Sequence, residues 1–143
     1  MGEAAAFLAR ALGVADVYLI TAGVAPIWSA LLARAGVPGV RVLGGAYPGA
    51  PYLIGRDEKG RIGQHLRAPG RRLIGFGDSD VDSLMLQAAH QAVVVVNHRG
   101  NEDLLPHLRA HPCVAQIALG VPGHPGLPQL DYHSAQQILT QGA

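Results

Sequence analysis

The chain is poor in cysteine, aromatic side chains and charge: of 143 residues, one is Cys, one is Trp, two are Phe, and 15% are Asp, Glu, Lys or Arg. A single cysteine, Cys113, excludes an internal disulfide and fits a reducing compartment, so a cytoplasmic location is expected. Flanked by Pro112 and Val114, it reads as a small core residue rather than a nucleophile. The net charge of +1 gives no electrostatic case for a nucleic-acid or membrane-surface partner. No apolar run is long enough for a spanning helix. Met1-Gly2-Glu3-Ala4 lacks the basic-then-apolar order of a signal peptide, and Ala6 stands where myristoylation favours Ser or Thr. With 49% hydrophobic residues the composition argues against disorder. It also hints that some apolar surface is covered by another chain. The length suffices for one domain with a real core, and a single domain over 1–143 is the expectation.

What is present is an alternation of helical and strand-like segments. Glu3 to Leu12 has apolar residues at helical spacing and stops at Gly13. Val17 to Ile20 is a short strand ending in Thr21-Ala22-Gly23. Pro26 opens a helix that runs to Ala35. Val40 to Leu43 is a second strand, closed by Gly44-Gly45, and Ala46 to Arg56 reads as a Gly/Pro/Tyr-rich loop. Lys59 to Arg67 is a helix broken by Pro69-Gly70. Leu73 to Phe76, the β-branched run Ala92 to Val96, and Val114 to Leu119 are further strands, the second buried on both faces. Val81 to Ala89, Asn101 to Ala110 and Ser134 to Thr140 are helices. This order predicts a Rossmann-like three-layer α/β/α fold with a mostly parallel sheet and right-handed crossovers.

The densest chemistry lies in Gly77-Asp78-Ser79-Asp80-Val81-Asp82. Three carboxylates alternate where a parallel strand ends, which is the edge at which open α/β sheets bind ligands. Clustered carboxylates repel unless a hard cation neutralises them, and oxygen ligands suit Mg²⁺. Thr21 follows the first strand, where its hydroxyl and the Ala22 and Gly23 backbone amides can hold an anion next to a helix N-terminus. Lys59 can bring an ammonium to the same edge. Together these make a cradle for a phosphoryl group with Mg²⁺. Each residue also has a plainer reading. Thr21 and Asp78 can be helix caps, Lys59 a solvated lysine among Arg56, Asp57, Glu58 and Arg61, and Asp82 an outward-facing helix residue.

The order Ile20-Thr21-Ala22-Gly23, then Lys59, then Gly77-Asp78-Ser79-Asp80-Val81-Asp82-Ser83-Leu84-Met85-Leu86 resembles motifs II, III and IV of the haloacid dehalogenase superfamily, closest to its phosphoserine-phosphatase-like branch. The similarity covers roughly Ala6 to Leu105. It implies Mg²⁺-dependent hydrolysis of a phosphorylated small molecule through an aspartyl-phosphate. By position, Thr21 would bind phosphate and Lys59 would neutralise phosphate and nucleophile. Asp78 would ligate Mg²⁺ and Asp82 would hold it directly or through water. Asp80 falls at a variable position and reads as a surface acid.

The family's first motif, DxDx(T/V), which carries the nucleophile and the general acid/base, is not matched. Of the ten acids, none before Thr21 fits; Asp16 precedes its strand and lies at the wrong end of the sheet. Asp78-Ser79-Asp80 has the DxD spacing, but Asp82 replaces the Thr, and the flanks belong to motif IV. The chain therefore reads as lacking the family's central nucleophile strand and its cap insertion. Three outcomes are open: a partner segment inserts the strand, the two exposed edges pair directly, or Val114 to Leu119 moves into the gap. A homo-oligomer or a partner chain completing the sheet is expected, because unpaired edges invite pairing. His107 and His111, four residues apart, are a weaker candidate metal pair. Asn97 and His98, after the fourth strand, are candidate substrate contacts. Trp28 reads as core or interface.

Overall fold

The computed structural model describes residues 2–45, 54–118 and 120–140. Ala46 to Leu53 of the expected loop and Leu119, the expected end of the fifth strand, lie outside the described residues. The protein is mixed α/β with parallel sheets. Its elements run α1 (Glu3–Leu12), β1 (Tyr18–Val24), α2 (Ala25–Arg34), β2 (Arg41–Gly45), α3 (Arg56–Leu66), β3 (Ile74–Gly77), α4 (Ser83–Ala88), β4 (Gln91–Val96), β5 (Val114–Ala118) and α5 (Tyr132–Thr140). The chain divides into two compact units, Met1–Ile54 with Tyr132–Ala143, and Gly55–Asp131.

In the first unit β1 and β2 pair in parallel, with Tyr18 opposite Arg41 and Ile20 opposite Leu43. The next pair is Val24 with Gly45, so Thr21, Ala22 and Gly23 bulge out of the regular ladder. The expected strand end at Ile20 is therefore corrected: β1 continues through this bulge to Val24. Helix α1 packs on α5, where the Phe7 and Tyr132 rings lie 5.6 Å apart. Helix α2 buries none of its residues; Ile27, Trp28 and Leu31 are exposed.

The second unit holds a three-stranded parallel sheet in the order β3-β4-β5. β4 is central, and Ala92, Val93 and Val94 are fully buried, as an apolar run covered on both faces requires. Leu86, Ala92, Val94, Leu104 and Leu108 form the core cluster, against which Met85, Leu105 and Val114 pack. β5 pairs with β4, Ala92 facing Val114 and Val96 facing Ala118. That removes one of the three open outcomes, a move of Val114 to Leu119 into the gap beside β3: β5 pairs on the other side of β4. The expected helix Asn101 to Ala110 is also corrected to turns and a single 3₁₀ turn at Leu105–Leu108. Pro106 supplies no amide to a regular helix, and Asn101 adopts φ 55°, which breaks its start.

Helix α3 illustrates how local cost is exchanged for packing. Gly60 and Gly63 weaken it intrinsically, by about 1 kcal/mol each. They also form the face that lies against α4: a Cβ on Gly60 would sit 2.8 Å from Leu84 Cβ. The close approach carries Lys59, on the same helix face, into the turn that follows β3.

Candidate functional site

The strand β3 ends at Gly77, a 3₁₀ turn spans Asp80–Asp82, and α4 follows at once. Asp82 is buried and organises this turn. Its Oδ1 receives the Lys59 Nζ at 2.7 Å. Its Oδ2 accepts the Asp78 amide at 3.0 Å and the Ser79 amide at 3.4 Å. Lys59 is equally buried, at 9% exposure, so the ion pair is shielded from solvent on both sides. The solvated-lysine reading of Lys59 and the outward-facing reading of Asp82 are thereby excluded. A buried pair of this kind offsets its desolvation only when the geometry is close and the spare lone pairs are bonded. The Asp82 carboxylate meets both conditions.

Gly77 is what lets the carboxylate reach those amides. A Cβ at position 77 would lie 2.6 Å from Asp82 Cβ and 2.8 Å from its Oδ2. Gly77→Ala is therefore expected to push Asp82 out of place and to cost about 1–3 kcal/mol, as overpacking does. The check is chemical denaturation alongside the exchange rates of the Asp78 and Ser79 amides, which should rise together.

Asp78 differs from Asp82. It is exposed, and its carboxylate has no ion pair among the described residues. Its backbone is fixed instead. The Asp78 carbonyl accepts Asn97 Nδ2 at 3.1 Å and Asn101 Nδ2 at 2.8 Å. Asn101 is 1% exposed and sits in the left-handed region. Its Nδ2 also donates to the Val95 carbonyl, its amide donates to Asn97 Oδ1, and its Oδ1 bonds His124 Nε2. Its Nδ2 ties the ends of β3 and β4 together, and its Oδ1 reaches the segment that follows β5. Sequence reasoning missed this residue: Gly100-Asn101 reads equally well as a helix start. The Asn enrichment at positive φ is the one signal that separates the two. Asn97, expected as a substrate contact, holds the turn with both ends of its amide.

The other candidates fall elsewhere. Asp80 accepts Arg56 NH1 at 3.0 Å and faces His107 Nε2 at 3.1 Å. It is a surface acid already paired. His107 and His111 do not form a metal pair, since His111 Nε2 bonds the Ala89 carbonyl at 2.8 Å. Thr21 belongs to the first unit, inside the β1 bulge, where its Oγ1 accepts the Gly23 amide at 2.9 Å. The Gly23 amide is thus engaged locally and not presented as a spare donor. Ala22 is exposed in the same bulge. Ser83 Oγ, at the start of α4, is buried without a hydrogen-bond partner among the described residues.

For a metal, the donor set consists of hard oxygens. Among the described residues no three His, Cys, Asp or Glu side chains converge as a cage. Mg²⁺ seldom uses such a cage; one or two carboxylates, with water and substrate phosphate, are its usual protein-side ligands. Asp78 suits that role, since its carboxylate is exposed and its backbone held. Asp82 suits it less directly, because both its oxygens are engaged. No protein-family model, curated protein or solved structure matches the chain. No helix among the described residues is long and apolar enough to cross a membrane.

Proposed function

We propose that the turn after β3 is a Mg²⁺- and phosphate-binding site of the haloacid dehalogenase type. In this reading the Rossmann-like core is completed by a nucleophile strand from another segment or chain, and the whole is a Mg²⁺-dependent hydrolase of a phosphorylated small molecule. The observation that carries it is the division of labour at the turn: a buried Lys59–Asp82 pair at 2.7 Å beside an exposed, conformationally fixed Asp78.

When bound there, Mg²⁺ would supply charge neutralisation for the phosphate oxygens. The chain's own residues do the rest. Asp78 offers the carboxylate that holds the ion. Asp82 fixes the Asp78 and Ser79 amides and anchors the ammonium of Lys59. Lys59 lends positive charge to an otherwise acidic turn. A second reading, an inactive relative that binds without hydrolysis, is favoured by one observation: none of the ten acids occupies a nucleophile motif.

Mg²⁺ together with vanadate, a phosphate mimic, is expected to raise the melting temperature, whereas this chain alone releases no phosphate from an aryl phosphate. Absence of any Mg²⁺- and vanadate-dependent stabilisation would refute the site. Phosphate release by the chain alone would refute the need for a second segment. A rise in phosphatase activity on supplying a DxDxT-bearing strand would separate the hydrolase from the inactive binder.

A further inference from the structure

At the opposite rim of the three-stranded sheet, where β3, β4 and β5 begin, an open cleft of about 580 Å³ is lined by Arg67, Gln87, His90, His107 and His111. Among the described residues no Asp or Glu lines it. The hydrogen bonds define what each group has to offer. His90 Nδ1 accepts the Leu73 amide at 2.9 Å, so the ring proton of neutral His90 sits on Nε2. That N–H has no partner among the described residues. His111 is spent, since its Nδ1 accepts the Cys113 amide and its Nε2 bonds the Ala89 carbonyl. His107 faces Asp80, and Gln87 Nε2 donates to the His107 carbonyl. Arg67 uses NH1 on the Ala88 carbonyl at a long 3.3 Å, and among the described residues the rest of its fork has no partner.

We infer that this cleft is a second anion site, in which the Arg67 guanidinium and the His90 Nε2–H bind a tetrahedral oxyanion, as inorganic phosphate or the phosphate group of a small molecule. A permanently charged fork and an imidazole whose other nitrogen is held by a backbone amide both line a space that no carboxylate among the described residues lines. Arg recognises phosphate oxygens well because its donors match their spacing. A second hollow shares Arg67 and Gln87 with the cleft and adds Arg61, with Asp57 the acid on its wall. It offers room for the remainder of a larger ligand. The site does not depend on Mg²⁺, on Asp78 or on Lys59, and it stands whether or not the turn after β3 works as proposed.

The test is calorimetric titration with inorganic phosphate in EDTA, with ¹⁵N imidazole NMR of His90 followed in parallel. Wild-type protein and Asp78→Asn are expected to bind alike, with the His90 Nε2 resonance moving on saturation. Arg67→Gln and His90→Asn are each expected to weaken binding about tenfold or more, the loss of a hydrogen bond to a charged group. His90→Asn is chosen because its amide oxygen can still accept the Leu73 amide while the Nε2 donor is gone. Arg67→Gln, at an exposed position, controls for any folding defect at His90. No phosphate binding by the wild type overturns the site. So does binding that Arg67→Gln leaves intact, or that Asp78→Asn abolishes.

Discussion

Asp82→Ala is expected to destabilise the protein by about 3–5 kcal/mol, the cost of removing one partner from a buried ion pair. The substitution leaves the Lys59 ammonium buried at 9% exposure without its counter-charge. It also strips the Asp78 and Ser79 amides of their shared acceptor. Lys59→Met should cost less than Asp82→Ala, because the amides keep their acceptor. The double variant Lys59→Met/Asp82→Leu should recover much of the loss, since a buried pair exchanged for apolar side chains of similar volume is often neutral. A coupling of about 1–3 kcal/mol between the two sites is expected from the cycle. Trp28 and the tyrosines all lie outside residues 55–131. Fluorescence therefore reports the wrong unit, and the measurement should be hydrogen exchange across β3 and β4 in rising urea. Single variants indistinguishable from wild type would show that Lys59 and Asp82 are not a buried pair in solution.

The second large effect is functional. Asp78→Asn is expected to abolish all stabilisation by Mg²⁺ with vanadate while changing intrinsic stability by less than about 0.5 kcal/mol, as exposed substitutions do. Asn keeps the shape and the backbone bonds to Asn97 and Asn101, because those bonds use the Asp78 carbonyl and not its side chain. What it removes is the negative charge, and a hard divalent cation depends on that charge. Comparing Asp78→Asn with Asp82→Asn separates the two carboxylates. The first should lose the ligand response with the fold intact; the second should lose the fold's local order first. A Mg²⁺ and vanadate response that survives Asp78→Asn would remove Asp78 from the site.

These two aspartates show where sequence reasoning reaches and where it stops. Both are acids in one short turn, and spacing treats them alike. The resemblance to motif IV assigns both to Mg²⁺. Only the packing of α3 on α4, through Gly60, turns Asp82 inward against Lys59 and leaves Asp78 at the surface. Gly77 is similar: its place in the GDS run is evident, but its reason is a 2.6 Å approach that no one-dimensional pattern encodes. Asn101 reads as a helix start in sequence because two of the partners that hold it, Asp78 and His124, each lie 23 residues away. The Thr21 bulge depends on the register with β2, which a single strand does not carry.

The sequence alone settled what depends on neighbouring residues. The β-branched run at Ala92 to Val96 made a doubly buried strand, and the Gly-Asp turn made a strand-to-helix junction. The alternation of elements made parallel pairing, because side-chain period and turn chemistry act over a few residues. Tertiary structure alone decided which side of β4 receives β5, which aspartate is buried, and which His90 nitrogen accepts a backbone amide. Those outcomes turn on burial and on competition for hydrogen-bond partners between segments far apart in the chain, and such competition exists only once the chain has folded.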